Sequence, residues 1–223
     1  MPYITTYDDV VKAQKIQSNV IRKTSLTFSD TFTQLTGSTV YLKNEFEQKT
    51  GSFKLRGAHY KISILSEDET KNGIVAASAG NHGQGVAYAS ALEKIKCTIV
   101  MPKNASPAKV AAIRGYGATV VLEGKNYEES WAKAQEIAKT TGAEIIHAFD
   151  DPYVIAAQGV IGLEIIEQIP DVDEIYVPIG GGGLAAGVLT AVKAKNPNVK
   201  IIGVQSKSFP SMKKSLDSGK VET

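Results

Sequence analysis

The stretch Gly73-Ile-Val-Ala-Ala-Ser-Ala-Gly-Asn-His-Gly-Gln-Gly-Val-Ala-Tyr-Ala-Ser-Ala-Leu92 decides the fold. It passes from a short β-branched run through a tight turn into a helical pattern. The same order recurs downstream. The pattern predicts strands over residues 96–101, 118–122, 144–149, 174–179 and 200–205, with helices over 82–94, 107–116, 126–140, 151–169 and 184–194. Ser106 before Pro107 reads as an N-cap with proline at the first helical position. Connections this short force a mostly parallel sheet with helices on both faces, and such sheets take ligands beyond the carboxyl ends of their strands.

Upstream the rhythm differs. Helices are expected over 7–18 and 29–36, an extended entry over 24–26 and a strand over 39–43. A loop bearing Lys54 follows and leads into a helix to Leu65. Ser66 and Glu69 have the spacing of a capping box.

Composition narrows the function classes. The chain has 223 residues, 43% apolar and 22% charged, as expected of a globular protein with one large or two small domains. Lys and Arg total 25 against 23 acidic residues. They are scattered, so no footprint for nucleic acid or an anionic membrane results, and small neutral or zwitterionic partners are favoured. Cys97 is the single cysteine, which excludes an internal disulfide framework and suits a reducing cytosol. It is expected to pack beside Ile99 and Val100. The N-terminal residues lack the regions of a signal peptide and no long apolar run occurs, so a cytoplasmic protein is expected. His59, His82 and His147 offer no metal-ligand spacing with Cys97, so no metal is expected.

Three segments carry chemistry. Gly180-Gly-Gly-Gly-Leu184 lies between a strand pattern and a helix pattern. Without β-carbons, its amides can converge on one anion at a helix start, and phosphate is the natural guest. A plain flexible turn is the alternative. Gly180, Gly182 and Ala185 also satisfy G-x-G-x-x-A, yet the next strand ends Gly203-Val-Gln-Ser-Lys207 without the acidic residue a dinucleotide site needs. The turn from Ser78 to His82 suits a carboxylate or a planar polar ring, although His82 alone reads equally as a capping residue. Lys54, in Thr50-Gly-Ser-Phe-Lys-Leu-Arg-Gly57, lies near a helix start between Phe53 and Leu55. Desolvation and the helix dipole would both depress its pKa, making an amine able to form a Schiff base; an ordinary solvated lysine is the alternative. A phosphate cradle, a reactive lysine and the polar Asn81 together point to pyridoxal phosphate.

These motifs, with Pro178-Ile-Gly-Gly-Gly-Gly-Leu-Ala-Ala-Gly187 and Asp150-Asp-Pro-Tyr-Val-Ile-Ala-Ala-Gln-Gly159, resemble those of fold type II pyridoxal-phosphate enzymes. Within them the chain is most similar to the threonine dehydratase (threonine ammonia-lyase) and serine racemase branch. The resemblance implies two doubly wound, mostly parallel open-sheet domains, as in the tryptophan synthase β subunit. Residues 1–66 would open the large domain, 67–148 form the small one, and 149–223 carry the phosphate-binding part of the large domain, which is expected to be incomplete at its C-terminus. Lys54 would hold the cofactor aldehyde, Phe53 would flank the ring and Asn81 would bond its hydroxyl. Gly180, Gly181, Gly182, Gly183 and Leu184 would bind the phosphate. Ser78, Ala79, Gly80, Asn81 and His82 would receive the substrate carboxylate, with Lys54 and Ser78 as candidate catalytic residues.

The implied reaction converts L-threonine or L-serine to a 2-oxo acid and ammonia, in threonine catabolism or isoleucine biosynthesis. A serine racemase, or a noncatalytic phosphate- or nucleotide-binding module, is the alternative. Serine racemases of the family use a second serine where this chain has Ala79, and a methyl group delivers no proton. Ser25 replaces a usual proline, Ala157 a glycine and Val160 a threonine. The family's catalytic unit continues past a position like Thr223, so association with a missing C-terminal segment, or a homo-oligomer, is expected.

Overall fold

The computed structural model describes residues 4–222. Met1 to Tyr3 and Thr223, the extremities of the expected segments 1–66 and 149–223, lie outside them. The helices are α1 (Tyr7–Gln17), α2 (Asp30–Thr36), α3 (Lys54–Ser63), α4 (Glu67–Thr70), α5 (Asn81–Leu92), α6 (Pro107–Gly115), α7 (Tyr127–Thr141), α8 (Pro152–Gln168), α9 (Gly183–Lys195) and α10 (Ser211–Ser218). The strands are β1 (Leu26–Phe28), β2 (Tyr41–Lys43), β3 (Ile74–Ala77), β4 (Cys97–Met101), β5 (Thr119–Leu122), β6 (Glu144–Ile145), β7 (Glu174–Pro178) and β8 (Lys200–Val204). Contacts divide the chain into two units, Ile16–Ala148 and Met1–Lys15 with Phe149–Thr223. This grouping differs from the three-segment scheme by joining residues 16–66 to 67–148.

In Ile16–Ala148, four parallel strands lie in the order β5-β4-β3-β6. All four residues of β3 are buried, as a central strand with both faces covered requires. Alternation then sorts its side chains. Ile74 and Ala76 join a core with Leu55, Ile62, Val86, Ile99 and Ile113, which places α3, α5 and α6 on one face. Val75 and Ala77 join Val100 and Ala134, which places α7 on the other. Cys97 is buried in β4, where burial pushes its thiol up to about 11. The antiparallel pair β1 and β2 forms a separate two-stranded sheet with Leu26 opposite Lys43.

In the second unit β7 and β8 pair in parallel, Glu174 opposite Lys200, and α8 packs on α9. The helices meet where Gly159 and Gly187 let the backbones touch: a β-carbon on Gly159 would stand 2.8 Å from the Gly187 carbonyl oxygen. Ala157 is fully buried in α8. No helix among the described residues is long and apolar enough to cross a membrane.

Four expectations need adjustment. The strand expected over 144–149 closes after Ile145, because the carbonyls of Ile146 and Ala148 accept from His82 and Lys54 side chains. The extended segment at 24–26 and the strand at 39–43 become β1 and β2, three residues each. Pairing starts only at Leu26 because the Ser25 amide donates to Glu47 Oε2 at 2.8 Å. Ser106 stands at the N-cap of α6 but its side chain makes no capping bond. The helix α10 was not foreseen; none of its residues is buried, so its apolar positions are too few to announce it. The capping box of Ser66 and Glu69 forms with both reciprocal bonds.

Candidate active site

Lys54 is the first residue of α3, and a buried ion pair sets where that helix begins. Arg56 is fully buried and meets Glu45 in a two-pronged contact, Nε to Oε2 and Nη2 to Oε1, each 2.8 Å. The Thr24 hydroxyl donates to Glu45 Oε1 at 2.7 Å, and Gln17 Nε2 donates to the Arg56 carbonyl at 2.7 Å. Charge-assisted forks of this kind fix orientation as well as position. From the other side, α5 presses on the same turn: a β-carbon on Gly85 would stand 3.2 Å from Leu55 Cα and from the Lys54 carbonyl carbon.

The Lys54 amine is thereby held inward. Its Nζ donates to the Ala148 carbonyl at 2.7 Å and lies 5.3 Å from the centre of the Phe53 ring. The ring's quadrupole favours the ammonium modestly. Burial outweighs it and lowers the pKa from 10.5 to about 8.

The turn after β3 faces the same cavity. Its volume is about 360 Å³, and Lys54, Ser78, Asn81, His82, Lys109 and Tyr127 are among its lining residues. Ala79 and Gly80 line it too. The Ser78 amide continues the ladder to the Val100 carbonyl at 3.0 Å, while its hydroxyl accepts from the Gly80 amide at 3.1 Å. Asn81 begins α5, and no side chain caps that helix at Gly80. His82 is buried with Nε2 3.0 Å from the Ile146 carbonyl oxygen. A carbonyl only accepts, so Nε2 carries the hydrogen, and burial lowers the ring's pKa from 6.5 to about 4. His82 is neutral at pH 7 and braces the turn. His59 is buried in α3, and His147 packs edge-on against Trp131, ring centres 5.2 Å apart.

The glycine turn belongs to the other unit. Gly182 has φ +91 and precedes α9, which has neither a side-chain cap nor an acidic residue in its first turn. A β-carbon on Gly181 would collide with the Phe149 ring, and one on Gly183 would stand 2.5 Å from the Phe149 carbonyl oxygen. The tight approach, not flexibility, accounts for these glycines. Leu184 follows half-buried in the first turn of α9, whose leading amides have no intrahelical partner.

Sequence reasoning missed Glu45, Lys109, Tyr127 and the Ala148 carbonyl. Lys109 and Tyr127 were within reach of one rule, since each lies in the first turn of the helix after a parallel strand's carboxyl end.

The architecture and these turns define a class, the fold type II pyridoxal-phosphate enzymes. The structure of maize serine racemase superposes with a TM-score of 0.95 at 34% identity, covering 99% of this chain and 67% of that one. Residues 17–223 match the pyridoxal-phosphate dependent enzyme family, and the chain belongs to it. It is 51% identical over 217 residues to the L-threonine ammonia-lyase of Thermotoga maritima, covering 97% of this chain and 54% of that protein. It is 46% identical over 216 residues to the catabolic L-threonine dehydratase of Escherichia coli, again covering 97% of this chain, and 66% of the relative. The chain thus spans less than two thirds of the length of both curated relatives.

Proposed function

We propose that the chain carries the Schiff-base and phosphate-binding parts of a pyridoxal-phosphate-dependent L-threonine ammonia-lyase that also accepts L-serine. The observation that carries this reading is the Lys54 amine, buried, lowered to about 8 and facing a cavity beside an uncapped helix start. Pyridoxal phosphate, when bound, supplies an aldehyde for that amine and an electron sink for a carbanion. The residues present fit it. The glycines of 181–183 admit nothing larger than hydrogen on their own Cα atoms, and they precede a helix start with neither a side-chain cap nor an acidic residue, which suits a phosphate.

In this reading Lys54 would hold the aldehyde, and its Nζ, as a neutral amine, would take up the substrate Cα proton. Phe53 would flank the ring and Asn81 would donate to its hydroxyl, while Gly180 to Gly183 with Leu184 would hold the phosphate. Ser78, Ala79, Gly80, Asn81 and His82 seat the carboxylate. The Ser78 hydroxyl fixes the Gly80 amide, and His82 orients the turn while keeping its own proton. Loss of the Cα proton and the β-hydroxyl as water, followed by hydrolysis of the resulting enamine or imine by a water molecule, would yield 2-oxobutanoate from L-threonine and pyruvate from L-serine, with ammonia.

The Thermotoga maritima and Escherichia coli relatives support lyase chemistry over racemisation. So does Ala79, which lines the cavity with a methyl group in place of a second acid. A cytoplasmic location, a role in threonine catabolism or isoleucine biosynthesis, a homo-oligomer or pairing with further C-terminal chain, and the three-segment domain scheme belong to the same proposal for the complete enzyme.

Purified chain mixed with pyridoxal phosphate is expected to show a visible Schiff-base band, absent from a Lys54→Ala variant with an unchanged circular dichroism spectrum. No band in the parent chain would refute cofactor binding by Lys54 and favour a noncatalytic phosphate-binding module. D-serine formed from L-serine without oxo acid would favour the racemase.

A further inference from the structure

The cavity beside Lys54 is lined by two lysines and no acidic residue. One of them, Lys109, reaches in from the first turn of α6. Its Nζ lies 3.3 Å from where a β-carbon on Gly80 would stand, so the ammonium rests against the backbone of the turn from Ser78 to His82. Among the described residues the Lys109 side chain makes no ion pair or hydrogen bond.

An unpaired cation beside an uncapped helix start needs an explanation, because the other lining groups cannot balance a carboxylate. Ser78, Asn81 and Tyr127 are neutral. His82 is neutral at pH 7, and Lys54, an ammonium below about pH 8, gives up its charge in order to act as a nucleophile or base. Helix amides supply partial charge only.

We propose that Lys109 is the counter-charge for the substrate α-carboxylate and restricts this site to amino acids with a free carboxylate. The inference rests on the amino-acid reading of the cavity and deepens it. Lys109 touches the substrate without entering the bond changes, so it governs affinity, while Lys54 governs turnover.

The test uses butyrate, a carboxylate with no amine to react with an aldehyde, titrated by calorimetry at pH 9, where Lys54 is mainly neutral, into the cofactor-free chain and its Lys109→Gln and Lys109→Arg variants. The dissociation constant is expected to rise about tenfold in Lys109→Gln and to return to within about threefold of the parent in Lys109→Arg. Matching thermal melting curves establish that the variants are folded. Equal butyrate affinity in parent and Lys109→Gln, or no binding to either, overturns the proposal. Tighter Lys109-dependent binding of inorganic phosphate than of butyrate overturns it as well, since the cation would then serve phosphate. The titration needs neither cofactor nor turnover, so Lys109-dependent butyrate binding in a chain lacking the Schiff-base band refutes the lyase reading alone. Where turnover is present, Lys109→Gln raises KM for L-threonine and leaves kcat within about twofold.

Discussion

At the scale of single residues, two buried titratable groups set opposite pH limits. Lys54 has a folded pKa of about 8 against an ordinary 10.5, with burial as the cause. The neutral amine therefore becomes the major form as pH rises through about 8. Imine formation with an added aldehyde is expected to rise with a midpoint near that pH in the parent chain, read by absorbance stopped-flow; a midpoint above 10 would mean a solvated lysine. His82 works from below. Its pKa falls from 6.5 to about 4, so between these values the unfolded chain binds more protons than the folded one, and stability declines as pH falls from 6.5 toward 4. That loss amounts to on the order of 3 kcal/mol from His82. His59, also lowered by burial, adds to it. Denaturant unfolding at pH 7 and pH 4.5 should show a smaller difference in His82→Gln than in the parent. An unchanged difference would assign the effect to other groups.

At the scale of elements, the start of α3 is positioned by partners that no local pattern announces. Glu45 lies eleven residues before Arg56, in a short 3₁₀ turn, and the two meet only once the chain has folded back. Glu45→Ala leaves a fully buried guanidinium without its carboxylate and is expected to cost about 3–5 kcal/mol. The same variant should lose the Schiff-base band in conditions where it remains folded, as judged by circular dichroism; a retained band would show that α3 holds its place without the pair. The elements themselves were largely legible. The short apolar run of β3, the glycine turns and the capping box were all visible, because short-range patterning determines them. The early end of β6 was not, because the carbonyls that follow it, of Ile146 and Ala148, are claimed by side chains from α5 and α3, distant in sequence. The positions of Lys109 and Tyr127 depended on which strand ends lie together, which the strand order decides. Ser25 shows the same limit at finer grain. Its amide and hydroxyl both bond Glu47, a use of the N–H that a proline at this position could not match.

At the scale of the whole molecule, the two units differ in how their strands are protected. β3 and β4 sit inside a four-stranded sheet with both faces covered, and Val75, Ala76, Ile99 and Val100 are all fully buried. β7 and β8 form a two-stranded sheet in which Tyr176 is 63% and Val204 52% exposed, so fewer contacts oppose opening. Hydrogen exchange followed by mass spectrometry should find amides of residues 98–100 protected at least about tenfold more than those of 201–203. Equal protection would mean that the chain opens only as a whole.

The acceptor that holds Lys54 is a main-chain oxygen, Ala148 O. Every residue type supplies that atom, so mutation has no letter with which to erase the tether. A saturation scan at position 148 should register only side-chain bulk, whereas a semisynthetic chain in which an ester replaces the amide after Ala148, whose carbonyl is a weaker acceptor, would loosen it. The resting place of the amine is thereby insulated from genetic drift at the very position that provides it.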